Sequence, residues 1–148
     1  MPALRVRALR LIALREHSRA ELERKLAPHG EPAEIAALLD ALCADGYLSD
    51  GRYAESYVAA RAARLGDQRL ARDLAARGVS RAVIDAALDA AESETERLHK
   101  IWHSRFGQPP ADAREWARQA RFLAGRGFAA ELIRKLLRDP PGAEDAAS

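Results

Sequence analysis

Residues 72–79 read RDLAARGV, and the chain says nearly the same thing twice more, as RKLAPHGE over 24–31 and RFLAGRGF over 121–128. Superposed, the stretches put Arg24, Arg72 and Arg121 in one column, followed by Leu26, Leu74 and Leu123, then Ala27, Ala75 and Ala124, then Gly30, Gly78 and Gly127, at offsets of 48 and 49 residues. An isoleucine follows each glycine by five or six residues (Ile35, Ile84, Ile133), and a leucine follows each isoleucine by four (Leu39, Leu88, Leu137). Recurrence at so constant a period marks an array of like modules. A leucine four residues before a glycine is the end of an amphipathic helix closed by a residue that tolerates positive φ. The step from isoleucine to leucine resumes helical spacing, and roughly 20 residues per copy remain for a third helix.

The totals agree with a helical array. The chain has 148 residues, 48% of them apolar and only 5% aromatic, with alanine and leucine prevailing, which favours helix over sheet and gives enough length for a core. No β-branched run alternates with polar residues, so no strand is expected. The single cysteine, Cys43, excludes an internal disulfide framework and points to a reducing cytoplasm. Its surroundings, ALCAD, read as a buried helix interior with an inert thiol. No run approaches the roughly 18 apolar residues that span a bilayer. The arginine-rich, acid-free start PALRVRALRLIALR resembles a transit peptide but lacks serine, and reads as the first helix of the first copy.

Net charge is only +2, but its distribution repeats with the helices. Residues 1–30 carry seven bases and three acids, and 31–50 no base and five acids; 51–81 again carry seven and three, and 82–96 none and five. Residues 97–138 hold ten bases and three acids. If the modules stack in one orientation, one side of the array is positive and the other negative. A coding bias toward arginine explains why 21 of the 24 basic residues are arginine, but it leaves the alternation unexplained.

Taken in order, the chain predicts nine helices in three triplets, over 1–48, 49–92 and 93–138, with a disordered tail, DPPGAEDAAS, over 139–148. The first helix spans about 4–16 with Val6, Leu9, Ile12 and Ala13 inward. Ser18 and Glu21 form a capping box for the second, which buries Leu22 and Leu26. Pro32 opens the third, with Ile35, Leu38, Leu39 and Leu42 inward; Gly46 ends it, and Tyr47 and Leu48 fold back onto the core. In the second triplet Ser49 or Asp50 caps a helix facing the core with Tyr53, Tyr57, Val58 and Ala62. Asp67 and Ser80 cap the next two, which bury Leu70 and Leu74, then Val83, Ile84, Ala87 and Leu88. Ser93 with Glu96 and Asp112 with Glu115 are capping boxes in the third triplet, separated by the linker GQPPA. There Leu98, Ile101, Trp102, Phe106, Trp116, Ala120 and Leu123 face inward.

The segments HSRAELERKL at 17–26, LSDGRYAESYVAAR at 48–61 and RFLAGRGFAAELI at 121–133 resemble the RecX family, the bacterial regulators of the RecA recombinase. The resemblance runs from about residue 8 to 137 with motifs in family order. Two departures concern helix ends: a short N-terminal extension, and Ala129 where a serine cap is usual. The resemblance implies three tandem three-helix repeats in an elongated, curved molecule. It also implies binding to RecA, commonly in the groove of its filament on single-stranded DNA, with loss of RecA's ATP hydrolysis, strand exchange and co-protease activity, and weak binding to DNA.

The residues themselves nominate a contact surface. Arg24, Arg72 and Arg121 lie two positions before a core leucine, about 200° around the helix, and should point to solvent. At matching positions of stacked modules they form a row that can meet an acidic protein surface or phosphates. Arg77 and Arg126, with His29 in the first copy, flank it. The bland alternative is that arginines near helix C-termini only complement the dipole, a few tenths of a kcal/mol each. Glu96, His99 and His103 share a helical face, but no further ligand motif accompanies them, so no metal is expected. Trp102, Trp116, Tyr53 and Tyr57 suit core faces better than base-stacking platforms. No phosphate loop, dinucleotide fingerprint or nucleophile elbow appears, so neither catalysis nor a cofactor is expected. The expected protein is a monomeric, cytoplasmic regulator; the alternatives are a stand-alone helix-turn-helix-like DNA-binding protein and a helical adaptor for another acidic partner.

Overall fold

The computed structural model describes residues 2–139. Among them it contains nine α-helices and no strand: α1 (Pro2–Leu14), α2 (Arg19–Leu26), α3 (Pro32–Ala44), α4 (Asp50–Arg61), α5 (Asp67–Ala76), α6 (Arg81–Ala90), α7 (Glu94–Arg105), α8 (Ala113–Gly125) and α9 (Ala130–Arg138). The tail expected to be disordered lies, beyond Asp139, outside the described residues. Side-chain caps fix several starts: Ser18, Ser49, Ser80, Ser93 and Asp112 each accept the backbone N–H three residues on, at 2.8–3.3 Å.

The described residues divide into two compact units, one of residues 2–57 with 73–87, the other of 58–72 with 88–139, so α4, α5 and α6 each give residues to both. In the first unit Leu4 and Ala8 of α1, Leu22 and Leu26 of α2, and Ile35, Leu39 and Leu42 of α3 form one core with Leu48. The inner face of α1 therefore departs from the expected one. Val6 is 46% exposed, because fully buried Ala8 lets α1 approach closely and turns Leu4 inward instead. Tyr47 is also exposed while Leu48 is buried, so only one of the pair folds back. Cys43, expected inside, is exposed. It lies one position round from buried Leu42, its Sγ 3.9 Å from Arg19 Nη1.

In the second unit Leu98 and Trp102 of α7, Leu123 of α8, and Ile133, Leu136 and Leu137 of α9 pack with Phe128. Trp116, expected in this core, is 36% exposed; buried Gln119 faces inward and its Oε1 accepts the Trp102 indole N–H at 2.8 Å. A fully buried indole needs such a partner, and Gln119 supplies it.

The recurring glycines close α5 and α8 identically. Gly78 and Gly127 have φ of 82° and 91°, and the following N–H groups reach back to Leu74 and Leu123 carbonyls at 3.1 and 3.3 Å. Gly30 differs, being extended at φ −167°: Pro28 turns the end of the first copy into a single 3-10 turn over Ala27–His29. Asp67 does not act as the expected cap either. Leu70 N–H bonds to the carbonyl of Gly66, which takes the cap position, and the Asp67 carboxylate is held by Arg97.

Candidate partner-binding surface

Each unit contains a joint between the second helices of consecutive triplets. In the first, Ser18 at the start of α2 donates its hydroxyl to the carbonyl of Arg77 at 3.0 Å, and the Arg19 N–H reaches Asp50 Oδ1 at 2.8 Å. A Cβ on Gly78 would collide with the Ala20 side chain. In the second, Gly66 N–H donates to the carbonyl of Arg126 at 2.8 Å, the Asp67 N–H reaches Glu94 Oε2 at 2.8 Å, and a Cβ on Gly127 would collide with Arg69. The start of one second helix thus rests on the glycine end of the next, and the joint fixes the arginines that precede each glycine.

Arg24, Arg72 and Arg121 are exposed, as their angular position requires, and none has a carboxylate partner among the described residues. Arg24 borders a shallow cavity of about 200 Å³ with Glu21 and Lys25. Arg77 is half-buried: its guanidinium lies 4.8 Å from the Tyr57 ring centre and donates to the carbonyl of Asp73 at 3.0 Å. Arg126 is exposed and lies 5.1 Å from the Phe122 ring centre. Arg24 and Arg77 belong to the first unit, and Arg72, Arg121 and Arg126 to the second.

Beside Arg24, the Arg15 guanidinium clasps Glu21, and this hydrogen bond holds the Glu21 carboxyl below its usual range. His17 is buried, with Nδ1 2.9 Å from the carbonyl of Arg15 and Nε2 3.1 Å from Lys25 Nζ. Burial raises the Tyr53 phenol.

Two residues that matter in the second unit escaped the sequence reading. Arg97 is 2% exposed and donates to the carbonyls of Glu92, Ala62 and Leu65 at 2.9, 3.1 and 2.6 Å, as well as to Asp67. Glu94 accepts the N–H groups that begin α5 and precede α9, from Asp67 at 2.8 Å and Ala129 at 3.0 Å. The latter bond satisfies the N–H of Ala129, the cap residue of α9, which has no side-chain cap. Burial, then the charge of Glu94, push the Asp67 carboxyl above its usual value. The signal was there: shifted by 44 residues, Arg97 falls on buried Tyr53, and Glu94 on Asp50.

What these surfaces offer is positive charge. No group of three or more His, Cys, Asp or Glu residues placed to hold a metal, and no helix able to cross a membrane, occurs among the described residues. Exposed guanidinium groups without acidic partners can bind carboxylates or phosphates through paired N–H donors.

Three family profiles match the chain in order: the first three-helix domain of RecX over residues 5–42, the second over 49–88 and the third over 92–137. A protein of Leptothrix cholodnii named regulatory protein RecX is 54% identical over 92% of this chain and 88% of its own length. A protein of the same name from Chromobacterium violaceum is 40% identical over 97% of this chain and 93% of its own. The crystal structure of RecX from Lactobacillus salivarius superposes with a TM-score of 0.79 at 19% identity, covering 93% of this chain and 94% of that one.

Proposed function

The chain belongs to the RecX family of regulatory proteins, and from that membership we propose that it binds RecA and the RecA filament on single-stranded DNA, lowering ATP hydrolysis, strand exchange and co-protease activity. The observation that carries this reading is the match of all three RecX three-helix domains, in order. The exposed arginine that recurs at one position of each second helix supports it. We place the triplets at 1–48, 49–92 and 93–138, each presenting one of Arg24, Arg72 and Arg121 to acidic residues of RecA, with Arg77 and Arg126 as supporting contacts and DNA phosphates as a secondary contact. Several weak charged contacts made together by one chain act as a multivalent grip. The protein acts as a cytoplasmic monomer, uses no cofactor and catalyses no reaction of its own.

The test is DNA-stimulated ATP hydrolysis by the cognate RecA, titrated with this protein. Inhibition well below one molecule per RecA supports action on the filament. Full hydrolysis at a several-fold excess refutes the reading, and tight, steeply salt-dependent duplex binding in its place would favour a stand-alone DNA-binding protein.

A further inference from the structure

The second unit carries a cluster of three cations on an aromatic pair, two of them without an acidic partner among the described residues. Phe106, at the end of α7, and Phe122 of α8 meet edge to face, with ring centres 5.5 Å apart. Three guanidinium groups lie against this pair: Arg105 and Arg126 at 4.9 and 5.1 Å from the Phe122 ring centre, and Arg118 at 5.3 Å from that of Phe106. Arg118 shares its charge with Glu115, both contacts at 2.9 Å. Arg105 and Arg126 are exposed and have no acidic partner among the described residues. Two cations drawn to one phenyl ring are attracted by its π system and repel each other, and a bound anion relieves the repulsion.

The second triplet shows what the third has given up. Shifted by 49 residues, Arg126 falls on Arg77, and Phe122 on Asp73. There an acid occupies the position, and its carboxylate accepts the Tyr57 hydroxyl at 3.3 Å. In the third triplet a phenyl ring stands in place of the acid, so the position holds arginines without adding a negative charge.

We propose that Arg105 and Arg126, held on Phe122, form an anion site for a phosphate of a single-stranded polynucleotide backbone. Guanidinium forks match the charged non-bridging oxygens of a backbone phosphate through paired N–H donors, and two such forks are held on one ring here. Arg118, Phe122 and Arg126 follow one another at steps of four residues, one line of about 12 Å along α8, and exposed Arg114 prolongs it by a turn. A line of cations fits a polymer of phosphates better than a single ion, and contact through phosphate carries no base preference. The inference deepens the DNA contact in the proposed function and rests on that part of it alone.

The experiment is fluorescence anisotropy of a labelled single-stranded oligothymidylate with the full chain, over a range of salt concentrations. Arg105→Ala is expected to weaken binding roughly tenfold and to flatten the salt slope by about 0.7. Phe122→Leu is expected to weaken binding several-fold at unchanged charge, because it frees both arginines. Arg105→Lys, which keeps the charge but loses the fork and the flat contact with the ring, should also bind more weakly, and stands as the check if Phe122→Leu folds poorly. Arg134→Ala, removing an exposed charge elsewhere on this unit, should matter less than Arg105→Ala. Parent-like binding by the Arg105 and Phe122 variants overturns the site while leaving DNA contact standing. A parent chain that does not bind the oligonucleotide removes both. Displacement of the oligonucleotide by inorganic phosphate at matched ionic strength would make this a free-phosphate site and overturn the polynucleotide assignment.

Discussion

Gly78 and Ala20 approach so closely that no side chain fits between them: a Cβ on Gly78 would stand inside the Ala20 methyl group. The relation recurs 49 residues later between Gly127 and Arg69. Positive φ and close approach fall on the same glycine both times, so the column serves the ending of a helix and the joint to the previous triplet together.

Gly78→Ala and Gly127→Ala should each destabilise by about 2–5 kcal/mol, combining left-handed strain with overpacking. Gly30→Ala should cost under about 1 kcal/mol, because Gly30 is extended and its added Cβ meets nothing closer than a Leu4 methyl at 3.2 Å. Urea unfolding of the three variants checks the order, and equal losses would refute the joint's role.

Arg97→Ala should lower stability by about 3–5 kcal/mol, since it strands the carbonyls of Ala62 and Leu65 and leaves the Asp67 carboxylate without its buried partner. Arg121→Ala, at an exposed position, should stay within about 0.5 kcal/mol of the parent. Denaturant midpoints measured side by side decide whether Arg97 is the structural arginine and Arg121 a surface one.

Two carboxylates respond to pH in opposite directions. The Arg15 hydrogen bond depresses Glu21 below 4.5, so the stability it contributes is present above that value and is lost as pH falls through the folded value. The pair is partly exposed and should be worth roughly 0.2–1 kcal/mol, so the deficit of Arg15→Ala at pH 7 should shrink on acidification. Asp67 is raised above 3.8 by burial and Glu94, so the folded state holds a proton that the unfolded chain releases. Stability tied to Asp67 therefore falls as pH rises from 3.8 through the folded value. Glu94→Gln should flatten that fall, and unfolding midpoints across this range would show it.

The helices were legible because leucine and isoleucine recur at helical spacing and five starts carry side-chain caps. What spacing could not decide was which of two apolar stripes faces inward: in α1 the small Ala8 outcompeted Val6 for the close contact, and in α8 the indole of Trp102 required Gln119 inside and left Trp116 at the edge. Position around the helix placed Arg24, Arg72 and Arg121 in solvent correctly. Arg97 was missed because a charge on an amphipathic helix is read as outward, and only the carbonyls ending another helix explain its burial. Arg77 and Arg126 were placed near the right helix ends, but the rings that hold them come from outside the repeated stretch or from one of its divergent columns.

The central claim is that these arginines grip RecA. The most direct measurement is inhibition of RecA ATP hydrolysis on single-stranded DNA by the parent and by a variant combining Arg72→Glu with Arg121→Glu, with helical content and melting compared alongside. The account predicts that the variant folds like the parent yet needs roughly tenfold more protein for the same inhibition. A variant that is equally folded and inhibits at the parent's concentrations would contradict it.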